Sequence, residues 1–175
     1  MSESLHAPWR IEYLRSLDKT DTGECFMCQA ALATSDDQRR QLLVLWASDK
    51  NMVMLNKFPY VNGHLLIAPK SHLADLEQLD ETTLLDLQVQ TTEAIKLLKR
   101  ALSPQGFNIG INLGRCAGAG VPGHIHQHIV PRWAGDTNFI SVVGNVRIIP
   151  QATERLYDEL MRVRNEMTHP PIGGV

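Results

Sequence analysis

Several things are scarce in this chain, and each scarcity removes a class of function. No apolar run approaches the roughly 18–20 residues that a membrane-spanning helix needs. The opening stretch, MSESLHAPWRIEY, has neither the charged start nor the apolar block of a secretory signal, so a cytoplasmic protein is expected. Basic residues are not in excess: 17 Lys and Arg stand against 19 Asp and Glu, a net charge of −2. A polymeric nucleic acid would call for a basic face and is not expected as a partner. A small phosphorylated ligand stays open, because it needs only a few local donors. Cysteine is also short. Cys25, Cys28 and Cys116 make a poor disulfide framework, and the first two form a C-x-x-C pair suited to metal or redox chemistry. Repeats, low-complexity tracts and linkers are absent. The 175 residues fit one domain, and 43% hydrophobic with 21% charged residues is ordinary for a well-cored globule.

What remains reads as a mixed fold. Residues 1–24 are polar and irregular, apart from a short amphipathic piece around Trp9, Ile11, Tyr13 and Leu14. Gln41–Ala47 and Met52–Asn56 are apolar, branched runs separated by Asp49-Lys50-Asn51, which predicts a hairpin. His64–Ala68 is a third predicted strand, entered through Asn62-Gly63 and closed by Pro69. Asp80 can cap a long helix to Leu102, with Leu84, Leu87, Ile95, Leu98 and Leu102 near a 3.6-residue period. Leu85 and Leu97 fall outside that stripe and suggest a second buried face. Phe107–Leu113 and Ile125–Val130 predict two more strands, joined by the glycine-rich loop Gly114–Gly123. A second helix is predicted over Thr153–Met167, followed by a loose tail. The expected class is α+β: an antiparallel sheet of about five strands, one long helix and one C-terminal helix.

The chemistry concentrates in His124-Ile125-His126-Gln127-His128, which holds three of the chain's seven histidines. In a strand, alternate residues share a face, so the three imidazoles are expected in a row about 6.6 Å apart at each step. Two chemistries suit such a row. Alternating histidines can share a catalytic zinc; alternatively, a neutral imidazole attacks phosphorus and titrates near neutrality.

The flanking residues favour the second. The run from Gly118 to Gly123, HIHQHIV and Pro131-Arg132-Trp133 together resemble the H-φ-H-φ-H-φ-φ signature of the histidine-triad (HIT) superfamily. Gln127 departs from the apolar φ pattern, a change of little weight if its side chain faces away from the histidines. Upstream, Leu55-Asn56-Lys57-Phe58-Pro59-Tyr60 and Gly63-His64-Leu65-Leu66-Ile67-Ala68-Pro69 resemble the family segment that holds the ribose and bears a fourth active-site histidine. APWRIEYL, the Cys25–Cys28 pair and PRWAGDTNF (Pro131–Phe139) are similar to the bacterial branch of diadenosine tetraphosphate phosphorylases and hydrolases.

The resemblance implies a HIT-like domain over residues 25–167, with 1–24 an N-terminal extension and 168–175 a tail. It implies His126 as nucleophile, His128 as donor to a phosphate or bridging oxygen, and His64 as support for the cluster. It implies Asn56 at the ribose hydroxyls, and Asn112 at phosphate. The loop from Gly114 can supply backbone N–H groups to phosphate oxygens, with Gly120 and Val121 among the nucleotide-contacting positions. Arg132 is either solvated or meets distal phosphates; Trp133 either packs or stacks on a base. Met54 belongs with the core, although it is able to touch an adenine.

The C-x-x-C pair keeps three readings: redox, structural, or zinc. Zinc needs two more ligands, and His72 with His124 would complete a Cys₂His₂ set, at positions that match zinc-bearing relatives. No organic cofactor is expected. The implied substrate is a nucleotide or dinucleoside polyphosphate, split through a nucleotidyl-histidine with water or phosphate as acceptor. The alternatives are a nucleoside phosphoramidate or adenylyl-sulfate hydrolase, a nucleotide-binding adaptor, and a zinc hydrolase with metal at the triad. HIT relatives generally pair, and unpaired sheet edges add a physical motive for a homodimer.

Overall fold

The computed structural model describes residues 25–136 and 151–168. The expectations for residues 1–24, for Thr137–Phe139 and for the tail beyond Thr168 lie outside the described residues. The described chain begins with two short helices, α1 (Phe26–Ala31) and α2 (Asp36–Gln41), which the apolar pattern did not suggest. The first half of the predicted strand 41–47 is therefore the end of α2 and a turn, and β1 covers only Val44–Ala47. The reason is local. Ser35 accepts from the Gln38 amide and the Gln38 side chain returns to the Ser35 backbone, a capping box that outweighs the β character of Leu42 and Leu43.

Next come β2 (Asn51–Leu55) and β3 (Leu65–Pro69), then the long helix α3 (Glu81–Leu102). The chain continues through β4 (Gly106–Ile111), β5 (Gln127–Arg132) and the C-terminal helix α4 (Thr153–Thr168). Asp80 caps α3 by accepting from the Thr83 amide at 2.6 Å. All the pairings are antiparallel, in the order β1-β2-β3-β5-β4. The class is α+β, with a five-stranded antiparallel sheet. Among the described residues, no helix is long and apolar enough to cross a membrane.

The sheet divides the interior in two. On one face, Val53, Leu55, Leu65, Ile67 and Ile129 pack against Leu87, Ala94, Leu97 and Leu98 of α3 and Leu156, Leu160 and Val163 of α4. Leu97 thus belongs to this core, whereas Leu85 is 68% exposed. On the other face, Met52, Met54, Leu66 and Ala68 meet Met27 and Ala30 of α1. An irregularity in β1 between Val44 and Trp46 turns both Leu45 and Trp46 toward the helices.

Two details fix where β3 and β5 lie. Gly63 enters β3 at a φ of +78°, and a Cβ there would come within 2.6 Å of Leu102, so only glycine lets the chain pass under α3. In the β3–β5 ladder, Leu66 stands opposite His128 and Ile67 opposite Gln127. His64 and His128 are then diagonal neighbours on the sheet face away from α3 and α4.

Candidate active site

The three clustered histidines do not line up along one strand as expected. β5 begins at Gln127, so His124 and His126 precede it. The Ile125 amide is instead tied to the Leu73 carbonyl at 2.6 Å, which draws this stretch away from the ladder. The histidines consequently split between two sites.

His124 turns toward the Cys25–Cys28 turn. Its Nδ1 lies 3.4 Å from Cys25 Sγ and 3.6 Å from Cys28 Sγ, while His72 Nδ1 lies 3.2 Å from Cys28 Sγ. The four candidate ligand atoms all fall within 4.8 Å of one another. Tetrahedral zinc with bonds of roughly 2.0–2.3 Å sets ligand atoms about 3.3–3.8 Å apart, so these side chains fit the ion. The protonation pattern fits too. His124 Nε2 donates to the Pro69 carbonyl at 2.8 Å, which leaves Nδ1 as a lone pair facing the sulfurs. Burial, then the neighbouring Cys25, push the Cys28 thiol up, so without a cation the proton stays on the sulfur.

His126 is buried and faces the other way. Its Nδ1 donates to the backbone carbonyl of His124 at 2.9 Å, so in the neutral ring Nε2 carries the lone pair. The His128 ring lies edge-on to it, 4.9 Å between centroids.

His128 connects to His64, and the direction of this chain can be worked out. The Tyr60 amide is an obligatory donor and points at His64 Nδ1, 3.1 Å away. His64 must then hold its proton on Nε2, from which it donates to His128 Nδ1 at 3.0 Å. His128 Nδ1 is thereby an acceptor, and its proton sits on Nε2, beside the His126 ring. Asn112 Nδ2 lies 3.4 Å from that Nε2, so the amide has to turn over for its oxygen to accept the proton. The Tyr60 ring covers the pair, 4.6 Å from His64 and 5.9 Å from His128 between centroids.

The other expected residues are scattered around this core. The Asn56 side chain accepts from the Phe58 amide at 2.9 Å and sets its own amide nitrogen 3.2 Å from His64 Nδ1, so it borders the histidines. Gly120 is buried and Val121 packs against the α1 side of the sheet, in the loop that returns from Asn112 to His124. Gly110 stands opposite His128, and a Cβ there would meet nothing within 4 Å. Arg132 does not reach toward the histidines. Its guanidinium donates to both oxygens of Asp136, at 2.5 and 2.9 Å, and to Asn108 Oδ1 at 2.8 Å. Trp133 is half-buried, its amide donating to Asp136. Met54 is buried in the α1-side core. Tyr60, the Pro69 carbonyl and Thr91 were missed by sequence reasoning. The first two act through backbone atoms, which carry no residue signature.

Comparison with known proteins agrees with this geometry. The HIT domain pattern matches residues 39–135, more than half of the chain. The chain belongs to the HIT family. An AP-4-A phosphorylase of Mycobacterium tuberculosis is 43% identical over 98 residues, 56% of this chain and 50% of that protein. A bis(5'-nucleosyl)-tetraphosphatase (asymmetrical) of Schizosaccharomyces pombe is 31% identical over 93 residues, 53% of this chain and 50% of that one. The HIT chain thus spans about half the length of these relatives. A Zn-bound histidine triad family protein of Mycobacterium smegmatis shares the fold, with a TM-score of 0.65, 24% identity, and coverage of 85% of this chain and 98% of that one.

Electrostatics reinforce the neutral state of the HIT histidines. Burial, helped by the neighbouring His126, pushes His128 down to about 4 from 6.5. Burial also lowers His124 and His126. An imidazole with a depressed folded pKa binds fewer protons folded than unfolded. Its stabilising contribution is therefore present above the unfolded value of 6.5 and is lost as pH falls toward 4. The urea midpoint should drop over this window, and His128→Gln should make the drop shallower without abolishing it, since His124 and His126 remain. Equal pH slopes for the two proteins would contradict the half-buried, neutral His128.

Proposed function

We propose that this HIT protein is an enzyme that cleaves dinucleoside polyphosphates such as diadenosine tetraphosphate through a nucleotidyl-His126 intermediate. The observation that carries the reading is the Nδ1–H of His126 held on the His124 carbonyl, which leaves Nε2 unprotonated. Next to it lies a fixed donor, His128 Nε2–H. The relatives named for AP-4-A phosphorylase and tetraphosphatase activity support this class of substrate.

On this reading, His126 Nε2 attacks the α-phosphorus. The N–P bond forms, and the P–O bond to the departing polyphosphate breaks. His128 donates a hydrogen bond to the bridging or a non-bridging oxygen as charge builds there, and His64 holds its ring in that tautomer. On the same reading, Asn56 holds the ribose hydroxyls, and Asn112 and the loop around Gly120 and Val121 contact the phosphates. For Arg132 to reach a distal phosphate, its pairing with Asp136 must open, and base stacking by Trp133 is not needed for the chemistry. In the second step water or phosphate attacks the same phosphorus, the N–P electron pair returns to Nε2, and the proton lost by an attacking water passes to solvent. Water yields AMP and ATP from diadenosine tetraphosphate; phosphate yields ADP and ATP. Incubation with and without phosphate, followed by separation of products, distinguishes them. His126→Ala should lower turnover by several powers of ten while nucleotide binding persists. Turnover within about threefold of the wild type would remove His126 as the nucleophile.

Two features of assembly complete the proposal. Cys25, Cys28, His72 and His124 hold a structural zinc, which clamps the start of the catalytic strand to α1 and adds folding energy but takes no part in the reaction. Thiolate ligands of this kind suit the reducing cytoplasm. The chain also forms a homodimer, for which β4 is the natural seam. It is an outer strand of the sheet among the described residues, and Ile109 is 46% exposed, with Leu113 just beyond it at 42%. Native mass spectrometry of protein purified without chelator should find twice 19.6 kDa with one zinc per chain. A metal-free protein whose thermal stability ignores chelator would remove the zinc, and a 19.6 kDa species at micromolar concentration would remove the dimer.

A further inference from the structure

Gln127 is the residue at which the histidine segment departs from an apolar pattern, and its surroundings make it unusual. It lies between the two reacting imidazoles, but its side chain faces the helices. There its strand neighbours Leu65, Ile67 and Ile129 are apolar and fully buried. Gln127 itself is 4% exposed. Burying a primary amide without a partner is costly, so an aliphatic side chain would pack there more simply. What the amide adds is direction. Its Nε2 donates to Thr91 Oγ1 at 2.7 Å, and that hydroxyl donates onward to the Leu87 carbonyl at 2.8 Å.

α3 is a firm place to tie a strand. One turn earlier, Asp86 accepts from Asn51 Nδ2 at 2.7 Å, from the Ser48 hydroxyl at 2.5 Å and from Gln90 at 2.8 Å. Gln90 in turn accepts from Trp46 at 2.7 Å. The helix is thereby fixed to the β1–β2 hairpin. β5, in contrast, is thinly held on its β3 side, where its ladder comprises Leu65↔Ile129, Leu66↔His128 and Ile67↔Gln127. Gln127 is the last ladder position before the chain leaves the sheet, and His126 lies just beyond it.

We propose that the Gln127–Thr91 hydrogen bond is a positioning device for the HIT reaction, one that sets the rotation and register of the strand end carrying His126 and His128. It rests on the function proposed above. Both residues act through the backbone: Gln127 is flanked by the two imidazoles and turns them to the opposite face, and Thr91 receives its amide. Reacting groups displaced by about 1 Å lose up to 100-fold in rate, so a loosened strand end reduces kcat while substrate contacts at Asn56 and the loop remain.

The test compares Gln127→Leu, Thr91→Val, their double variant and Thr91→Ser. The first two remove the bond while keeping approximate shape, and Thr91→Ser retains the hydroxyl. With diadenosine tetraphosphate, kcat should fall about 10- to 100-fold in Gln127→Leu and Thr91→Val, with KM within about twofold. The double variant should be no worse than either single one, because one interaction is lost in all three. Thr91→Ser should behave as the wild type. In the substrate-free protein, imidazole ¹⁵N–¹H spectra read the His126 Nδ1–H and His128 Nε2–H tautomers directly. These signals should broaden or shift in Gln127→Leu and Thr91→Val, and not in Thr91→Ser. Wild-type kcat, unaltered imidazole spectra, or losses that track a fall in thermal stability with KM rising in parallel would each overturn the proposal. Should Gln127→Leu fail to fold, Thr91→Val and Thr91→Ser decide it alone. A wild type that turns over no dinucleoside polyphosphate would defeat the functional reading, while the spectra would still decide the positioning role.

Discussion

A single backbone carbonyl, that of His124, stands between the two halves of this site. It accepts the Nδ1 proton of His126 at 2.9 Å and so determines which nitrogen of that ring is available to react. The ring of the same residue points into the Cys25–Cys28–His72 cluster, where its Nε2–H is held by Pro69. Whatever fixes the His124 ring therefore also fixes the carbonyl that polarises His126. In the free side chain the two imidazole tautomers differ little in energy, so one hydrogen bond of ordinary strength is enough to select between them.

Around that contact the sheet works as a partition. Its helix-facing side is closed by an apolar core in which α3 and α4 cover Val53, Leu65, Ile67 and Ile129. Its other side carries the histidines at the start of β5 and just before β3, next to a smaller core under α1. Alternation along β5 keeps the two apart: Gln127 and Ile129 go to the helices, and His128 goes to the site. The chain Tyr60 amide, His64, His128 runs in one direction because its first member cannot accept. The tautomers of the His126 and His128 rings are thus set by backbone groups, which neither titrate nor rotate away.

Much of this was legible in the residues. The long helix begins at Glu81 under the predicted Asp80 cap and ends at Leu102, because capping and a 3.6-residue period are local and strong. The hairpin, the strand after Gly63 and the antiparallel sheet followed from alternation and turn residues. Less legible were features decided by partners distant in sequence. The pattern HIHQH suggested three imidazoles on one strand face, but the Leu73 carbonyl holds the Ile125 amide and delays the strand until Gln127. α2 was hidden behind the apolar run from Leu42, although Ser35 and Gln38 had the spacing of a capping box. The Asp136 partner of Arg132 lies four residues along, on no periodic pattern that would point to it. The roles of the Tyr60 amide and the Pro69 carbonyl had no signature at all, since every residue but proline has an amide and every residue has a carbonyl.

The proposed reaction consists of two successive displacements at one phosphorus, with His126 Nε2 as the first nucleophile. The stereochemical course at the α-phosphorus tests this most directly, using a dinucleoside tetraphosphate made chiral there by sulfur and oxygen-isotope labelling. Each in-line displacement inverts the centre, so passage through a nucleotidyl-histidine predicts overall retention. Net inversion would mean that water or phosphate attacks the substrate directly, and would contradict the role given to His126.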